Sequence, residues 1–245
     1  MMSELGPIIS EHTENQTATG STLFVGLICF GLAVLMTIFV IGEEGITFNQ
    51  FLFGFGGLAA LAGGIGSVQS FLKNRGGKVE IYQDGLIAEK GGRRHVARWN
   101  EIAALTESIE KMYLKGSYIY DRYLYTIEKT NGETFTLSNM VSDIAGIGGI
   151  LKTKTLELLL PQAKEKIRRG EKVLFDTLAV DQNGLSGKLW TELSLLTLKD
   201  GSIDIVDKTG KTVFTGSFAA TPNAHLLIEL LKERIPRTEI GTRQN

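Results

Sequence analysis

Residues 98–105, RWNEIAAL, and residues 189–196, LWTELSLL, are two versions of one phrase, and they contain the only two tryptophans of the chain. Three more pairs of matching phrases flank them in the same order. These pairs are Gln83–Leu86 with Gln182–Leu185, Thr130–Thr134 with Lys208–Thr212, and Lys164–Ile167 with Lys232–Ile235. Such an ordered series of matches indicates a duplicated unit, in which β-strands are followed by a helix.

The first copy is predicted to be antiparallel β-structure that closes with a helix. KVEIY at 78–82 alternates apolar and polar residues, and Asp84-Gly85 predicts a tight turn after it. GIGG at 146–149 is expected to be a flexible stretch. The leucines that follow recur at helical spacing, and Pro161 is expected to kink this helix or to begin a second one.

The repeat sets the expected domain boundaries. The first unit covers residues 76–169 and a second, shorter unit covers residues 171–236, while residues 1–20 and 237–245 are expected to be disordered tails. A unit of about 65 residues has a marginal core when isolated. The second unit therefore either packs against the first as one continuous body or folds independently.

Two uncharged stretches precede the repeat. Leu23–Gly42 is twenty residues without a charge, and a helix of that length is about 30 Å long, which matches the core of a bilayer. Phe51–Leu72 is also uncharged and rich in glycine. These stretches predict a transmembrane hairpin over residues 21–72, with helices at about 23–42 and 51–72. A buried helical hairpin is the alternative.

The cations around the stretches predict an orientation. The connecting loop carries Glu43 and Glu44 but no cation, whereas Lys73, Arg75 and Lys78 follow the second stretch. Because lysine and arginine concentrate on the cytoplasmic side, we expect an integral membrane protein with two spans. Both termini and the globular region would then be cytoplasmic.

Small residues in the second stretch suggest a packing face. Gly56, Ala60 and Gly64 recur at four-residue spacing, which lets helices in lipid approach closely. The partner of this face is either the first stretch of the same chain or a second copy in a homo-oligomer. Neither stretch holds an ionisable residue, which argues against a channel or transporter.

The repeated motifs resemble a known superfold. A DGL turn at 84–86, an RWxxI strand entry at 98–102 and a closing helix, matched by NGL at 183–185 and WxxL at 190–193, resemble the pleckstrin-homology-like (PH-like) domains. The resemblance covers residues 76–236 and is nearest to uncharacterised membrane-anchored PH-like or GRAM-like proteins. It implies an α+β fold, with the transmembrane hairpin followed by tandem PH-like antiparallel units, each closed by a helix. It implies no catalytic residues, and this superfold hosts many functions.

The charges restrict the partners. The chain has 26 lysines and arginines against 27 acidic residues, which argues against a nucleic-acid binder. Cations are nevertheless concentrated after the second apolar stretch, and each one near an anionic membrane adds about 1 kcal/mol of attraction. The candidate lipid or partner contacts are Lys73, Arg75, Lys78, Arg93 and Arg94. The alternative is an ordinary juxtamembrane stop signal with a solvated hairpin tip.

The aromatic residues fall into two groups. Trp99 and Trp190 occupy matching positions of the repeat and are expected to anchor the core. A tyrosine-rich run follows, which fits an exposed recognition edge and half-buried strand faces equally well. Its members are Tyr113, Tyr118, Tyr120, Tyr123 and Tyr125.

No residue set predicts catalysis, a cofactor or a metal. His12, His95 and His225 lack the spacing of metal ligands. Gly210-Lys211-Thr212 resembles the end of a phosphate loop, but position 205, where the first glycine belongs, is Ile.

The expected function is therefore a non-enzymatic, membrane-anchored binding module. It would recognise a protein partner or anionic lipid headgroups at the cytoplasmic face of the membrane. One alternative is a structural scaffold assembled through the glycine-rich hairpin, and a more remote one is an unrecognised enzyme.

Overall fold

The structure is a computed structural model that describes residues 5–14, 28, 31–32 and 77–241. The first unit has two antiparallel sheets, of order β1-β2-β3-β4 and β5-β6-β7, and one long helix. In chain order its elements are β1 (Ile8–Thr13), β2 (Lys78–Tyr82), β3 (Gly85–Lys90), β4 (Arg93–Arg98), β5 (Ile102–Leu114), β6 (Ser117–Lys129), β7 (Thr134–Ser138) and α1 (Ile144–Arg168).

The second unit repeats this order with shorter strands. Its first sheet has the order β11-β10-β9-β8, and its second sheet has the order β14-β13-β12-β15, in which β15 is an additional strand parallel to β12. The elements are β8 (Val173–Phe175), β9 (Leu178–Val180), β10 (Gly184–Leu185), β11 (Lys188–Leu189), β12 (Leu193–Lys199), β13 (Ser202–Asp207), β14 (Thr212–Ser217), α2 (Ala224–Lys232) and β15 (Arg237–Gly241).

The repeated phrase forms the same local structure twice. Trp99–Glu101 and Trp190–Glu192 are each one turn of 3₁₀ helix between the two sheets of their unit. The glutamate that ends each turn accepts a backbone N–H from three residues earlier, at 3.2 and 2.8 Å. The backbone N–H of each tryptophan donates at 3.0 Å to the carbonyl of the residue before the glycine of the DGL or NGL motif. That residue is Asp84 in one unit and Asn183 in the other. The turn thus ties the two sheets of each unit together.

Two glycines in the repeat are required by close backbone approach. A Cβ atom on Gly85 would lie 2.4 Å from the carbonyl oxygen of Ala97, and one on Gly184 would lie 1.7 Å from that of Lys188. Both distances are far shorter than any contact a Cβ atom tolerates, so only glycine lets the neighbouring strand pass. This explains the glycine in the DGL and NGL motifs.

Helix α1 contributes to two separate cores. Ile147 and Leu151, from its first half, are fully buried in a cluster with the strands of the first unit. Ala163 and Ile167, from its last turns, are buried in a cluster with the strands and helix of the second unit. The helix runs through Pro161 without a break. The expectation that a second helix begins there is therefore wrong, as is the flexible stretch at 146–149, which is helical.

The expectation of an N-terminal transmembrane hairpin is corrected by the structure. The protein is mostly β, and within residues 5–14, 28, 31–32 and 77–241 no helix is long and apolar enough to cross a membrane. The predicted spans, 23–42 and 51–72, lie outside the described residues apart from three positions. The predicted fold class, with its transmembrane hairpin, is therefore not supported. The same holds for the prediction of an integral membrane protein with two spans and cytoplasmic termini.

The two predicted disordered tails each contain a strand. Strand β1, from residues 8–13, pairs with β2, and Leu5 before it is 2% exposed. The two uncharged stretches thus lie, along the chain, between two strands that pair with each other. The sequence pattern had placed them ahead of the folded region. Strand β15 likewise takes residues 237–241 into the second unit, where it pairs with β12.

Replacing Gly148 by alanine is expected to destabilise the protein. A Cβ atom there would lie 2.0 Å from the ring of Tyr125, which is buried beneath α1. Overpacking of this kind costs about 1–3 kcal/mol, measurable as a loss in the free energy of unfolding in urea. The control is Gly149→Ala, which meets nothing within 4 Å and should stabilise the helix by about 0.5–1 kcal/mol. Equal effects of the two substitutions would contradict this account.

Candidate functional site

The most distinctive surface is a two-stranded ribbon that projects from the second sheet of the first unit. Strands β5 and β6 are each 13 residues long. Strand β7 pairs only with Leu124–Glu128 at the base of β6. Residues 109–123 therefore extend beyond the three-stranded sheet. We call these residues, together with Glu107 and Ser108 just before them on β5, the ribbon.

Two asparagine side chains cover the strand edges where the ribbon leaves the sheet. Asn139 accepts the backbone N–H of Tyr123 at 2.6 Å and donates to the carbonyl of Asp121 at 2.8 Å. Asn223, in front of α2, makes the same pair of bonds on β5, to Leu105 and Ala103, at 2.9 and 3.0 Å. Each amide satisfies a donor and an acceptor two residues apart, as a neighbouring strand would.

The far end of the ribbon exposes large apolar side chains. Beyond the asparagines, six of them are about half exposed or more, which is unusual for a strand pair in a folded domain. They are Ile109, Tyr113, Leu114, Tyr118, Ile119 and Tyr120, at 46–63%. We call Tyr113, Leu114, Tyr118, Ile119 and Tyr120 the ribbon tip. The rings of Tyr113 and Tyr118 meet edge to face, with centroids 6.1 Å apart.

The tyrosine run changes from buried to exposed along the ribbon. Tyr125 is 1% exposed, and Tyr123, whose ring stacks on it at 6.4 Å, is half-buried. Burial raises the pKa of the Tyr125 phenol, and the nearby carboxylate of Glu107 raises it further. Tyr118 and Tyr120 lie at the exposed end. The run is thus buried at the base of the ribbon and exposed at its far end.

The charges of the ribbon are balanced. Glu110 lies opposite Arg122 in the strand register, with 3.6 Å between their charged atoms, and Lys111 lies opposite Asp121. The Oδ1 atom of Asp121 is buried and accepts no hydrogen bond from the described residues. The ribbon therefore shows no excess of cations to attract an anionic surface.

A second feature is a cavity of about 460 Å³ at the junction of the two units, lined by β5, α1, α2 and the edge of the second sheet. On one side, Glu107 Oε1 accepts from Lys152 at 2.8 Å and from the Tyr125 hydroxyl at 3.1 Å. On the other, Nε2 of His225 lies 2.8 Å from the hydroxyl of Thr155. The first group lies entirely within the first unit, whereas the contact between His225 and Thr155 joins the two units.

His225 is held neutral at physiological pH. Burial, with a smaller contribution from the Lys152 ammonium, lowers its pKa to about 4, while Glu107 acts in the opposite direction. The Thr155 hydroxyl also lies within hydrogen-bond reach of the carbonyl of Leu151, at 2.8 Å. That hydroxyl is thus engaged inside the helix and is not presented as a nucleophile.

Of the three described cations in the predicted set, Lys78 and Arg94 lie beside carboxylates. Lys78 pairs with Glu11 and Glu80, at 3.0 and 2.6 Å, and these carboxylates raise the pKa of its ammonium. Arg94 lies 3.5 Å from Glu89. Arg93 borders a second cavity, of about 450 Å³, at the β3–β4 tip. Lys73, Arg75 and the helix-packing residues Gly56, Ala60 and Gly64 lie outside the described residues.

The two tryptophans differ in burial. Trp99 is 6% exposed and donates its indole N–H to the carbonyl of Gln83 at 2.9 Å. Trp190 is only partly buried, and the guanidinium of Arg234 lies over its ring at 5.9 Å. Trp99 is thus a core residue of the first unit, whereas Trp190 lines the margin of the second.

The described residues contain no group of three histidine, cysteine or acidic side chains that could hold a metal ion. A family model matches residues 2–237, which span both units of the repeat. The chain belongs to the DUF6585 family, a family of unknown function. No curated protein matches the sequence. The matched residues include the ribbon and both strands of the β1–β2 pair.

Stability is expected to fall in acid because of His225. The unfolded state binds a proton near pH 6.5 but the folded state only near pH 4, so the stabilisation is complete above pH 6.5 and decreases as the pH falls towards 4. Between pH 7.5 and 4.5 this amounts to about 2–3 kcal/mol. Urea unfolding of the protein and of His225→Gln measures it, because the difference between the two isolates this residue. Parallel pH profiles would contradict the assignment.

Proposed function

We propose that this member of the DUF6585 family is a non-catalytic binding protein built from two PH-like units, and that it recognises a protein partner through the ribbon tip. The topology supports the PH-like assignment. In each unit a four-stranded antiparallel sheet is followed by a sheet with three consecutive antiparallel strands and then by a helix. A fold of this kind leaves the function to its surfaces.

The observation that carries the proposal is the exposure of the ribbon tip. Leu114 is 63% exposed, and Tyr118 and Ile119 are 53% and 51% exposed, side by side on one hairpin end. Contiguous exposed apolar surface marks interaction sites, and tyrosine is among the residues that carry most of the binding energy at protein interfaces. The hairpin presents them on regular strands, which limits the entropy lost on binding.

The charges favour a protein partner over an anionic lipid headgroup. Of the described cations near the β3–β4 tip, Lys78 and Arg94 lie beside carboxylates. The ribbon carries cations and acids in balance, opposite one another in the strand register. Balanced charge around an apolar centre fits the polar rim of a protein interface.

The partner is to be identified by site-specific photocrosslinking in the native cell and then tested as a purified protein. A photoreactive residue at Tyr118 is expected to label it, whereas the same residue at Arg93 is not. Tyr118→Ser with Tyr120→Ser is expected to weaken the affinity at least tenfold, because two exposed aromatic contacts are removed. Isothermal titration calorimetry measures the change, and circular dichroism verifies the fold.

The matched control is Arg93→Glu with Arg94→Glu, which changes the other exposed hairpin tip and should leave the affinity unchanged. Liposome flotation with anionic vesicles tests the lipid alternative on the same variants. The proposal would be overturned in favour of headgroup recognition by two results together. Flotation would be salt-sensitive and disappear with the arginine variant, while the tyrosine variant would float as fully as the unmodified protein.

A further inference from the structure

The outer edge of β5 is an unpaired strand edge in the part of the chain that the structure describes. Strand β5 pairs only with β6. The N–H and C=O of Leu105 point away from β6, because both bond to Asn223. By the two-residue period of a strand, Glu107, Ile109 and Lys111 present their backbone groups on the same outer edge. Such an edge is a template for another strand.

The second unit shows what an edge of this type accepts. Its strand β12 follows Trp190 as β5 follows Trp99, so the two strands are equivalent in the repeat. Strand β15 pairs with β12 along Leu195–Lys199. Among the described residues, the equivalent edge of β5 receives only Asn223, which bonds to its base through the side chain and the backbone N–H. Within residues 5–14 and 77–241, the first unit therefore has no strand at the position where the second unit has β15.

The free part of the β5 edge is bounded on both sides. Asn223 occupies it up to Leu105. At the other end the register between β5 and β6 shifts between Met112 and Tyr113, and such an irregularity ends regular pairing. The regular, unoccupied stretch runs from residue 106 to residue 112, and its centre is Ile109.

We infer that this edge pairs with the same edge of a second copy of the chain, antiparallel and with Ile109 opposite Ile109. A two-fold axis at Ile109 places Glu107 of each copy opposite Lys111 of the other. The opposed charges attract, and the apolar isoleucines meet at the centre. The interface is isologous, so it closes at a dimer and does not propagate. It makes a continuous sheet from the two ribbons.

The charged pair is prepared for this contact. Both hydrogen bonds that Glu107 accepts within the described residues fall on Oε1, which leaves Oε2 for a donor from the second copy. Lys111 is exposed and makes no ion pair within the described part of the chain. The inference does not rest on the proposed function, because it uses the backbone edge of β5 and not the side chains of the ribbon tip.

Single cysteines test the register. In a Cys29→Ser background, Ile109→Cys in the full-length protein is expected to form a disulfide-linked dimer under mild oxidation. Facing Cα atoms of a hydrogen-bonded antiparallel pair lie about 5.5 Å apart, within the range that a disulfide spans. Non-reducing electrophoresis should show a species of about twice 26.8 kDa.

The neighbouring positions are the matched controls. Ser108→Cys alone and Glu110→Cys alone should not crosslink. Residue 108 of one copy faces residue 110 of the other, so neither variant brings two cysteines together. An equimolar mixture of these two proteins should crosslink. If Ile109→Cys forms no more dimer than the single controls, or if all three crosslink alike, the inferred pairing is wrong.

A proline provides an independent test without cysteine chemistry. Ile109→Pro removes an N–H that points outward, so the ladder with β6 remains intact. Light scattering should then show a monomer where the unmodified protein is a dimer. Glu110→Pro, which removes an N–H directed at β6, should instead lower the free energy of unfolding. An Ile109→Pro protein that remains folded and dimeric would overturn the inference.

Discussion

Helix α1 is the element on which both halves of the protein depend. Its first half completes the core of the first unit with Ile147 and Leu151, and its end completes the core of the second with Ala163 and Ile167. A unit as small as the second has a marginal core by itself. It is closed partly by a helix whose other half is fixed elsewhere. Unfolding of either core would release one half of α1 and so weaken the packing of the other half. We therefore expect the two units to be thermodynamically coupled.

The candidate site is a consequence of how far this helix reaches. Helix α1 lies over Tyr125, where Gly148 allows the ring to approach, but strands β5 and β6 continue well beyond the five residues of β7. The exposed apolar residues lie in the part that neither the helix nor β7 covers. Asn139 and Asn223 end the protected region on each edge. The length mismatch between strands thus separates a rigid base from a surface open to partners.

The sequence predicted the local features better than the distant ones. The repeated turn, with its tryptophan, glutamate and glycine, involves bonds between residues close in the chain, so its pattern is visible in the sequence. The asparagine on β5 acts across 118 residues, and no spacing rule reveals it. Strand β1 escaped prediction because it is short, mostly exposed and separated from its partner. The uncharged stretches were interpreted from their length and lack of charge, which are necessary properties of a membrane span but not sufficient ones. The tyrosine run correctly predicted strands. The alternation of side chains along a strand could not show, however, which of these tyrosines α1 covers and which are exposed.

The separation of β1 from β2 imposes an order on folding. Thr13 pairs with Lys78, so 64 residues, 14–77, must be brought back to one point before this pair forms. Contacts between residues so far apart in the chain form more slowly than those across the tight turn between β2 and β3. During synthesis β1 leaves the ribosome first, yet it has no template until β2 exists. The N-terminal strand is therefore the last to join its sheet, and its edge on β2 stays open to competing strands for the longest time.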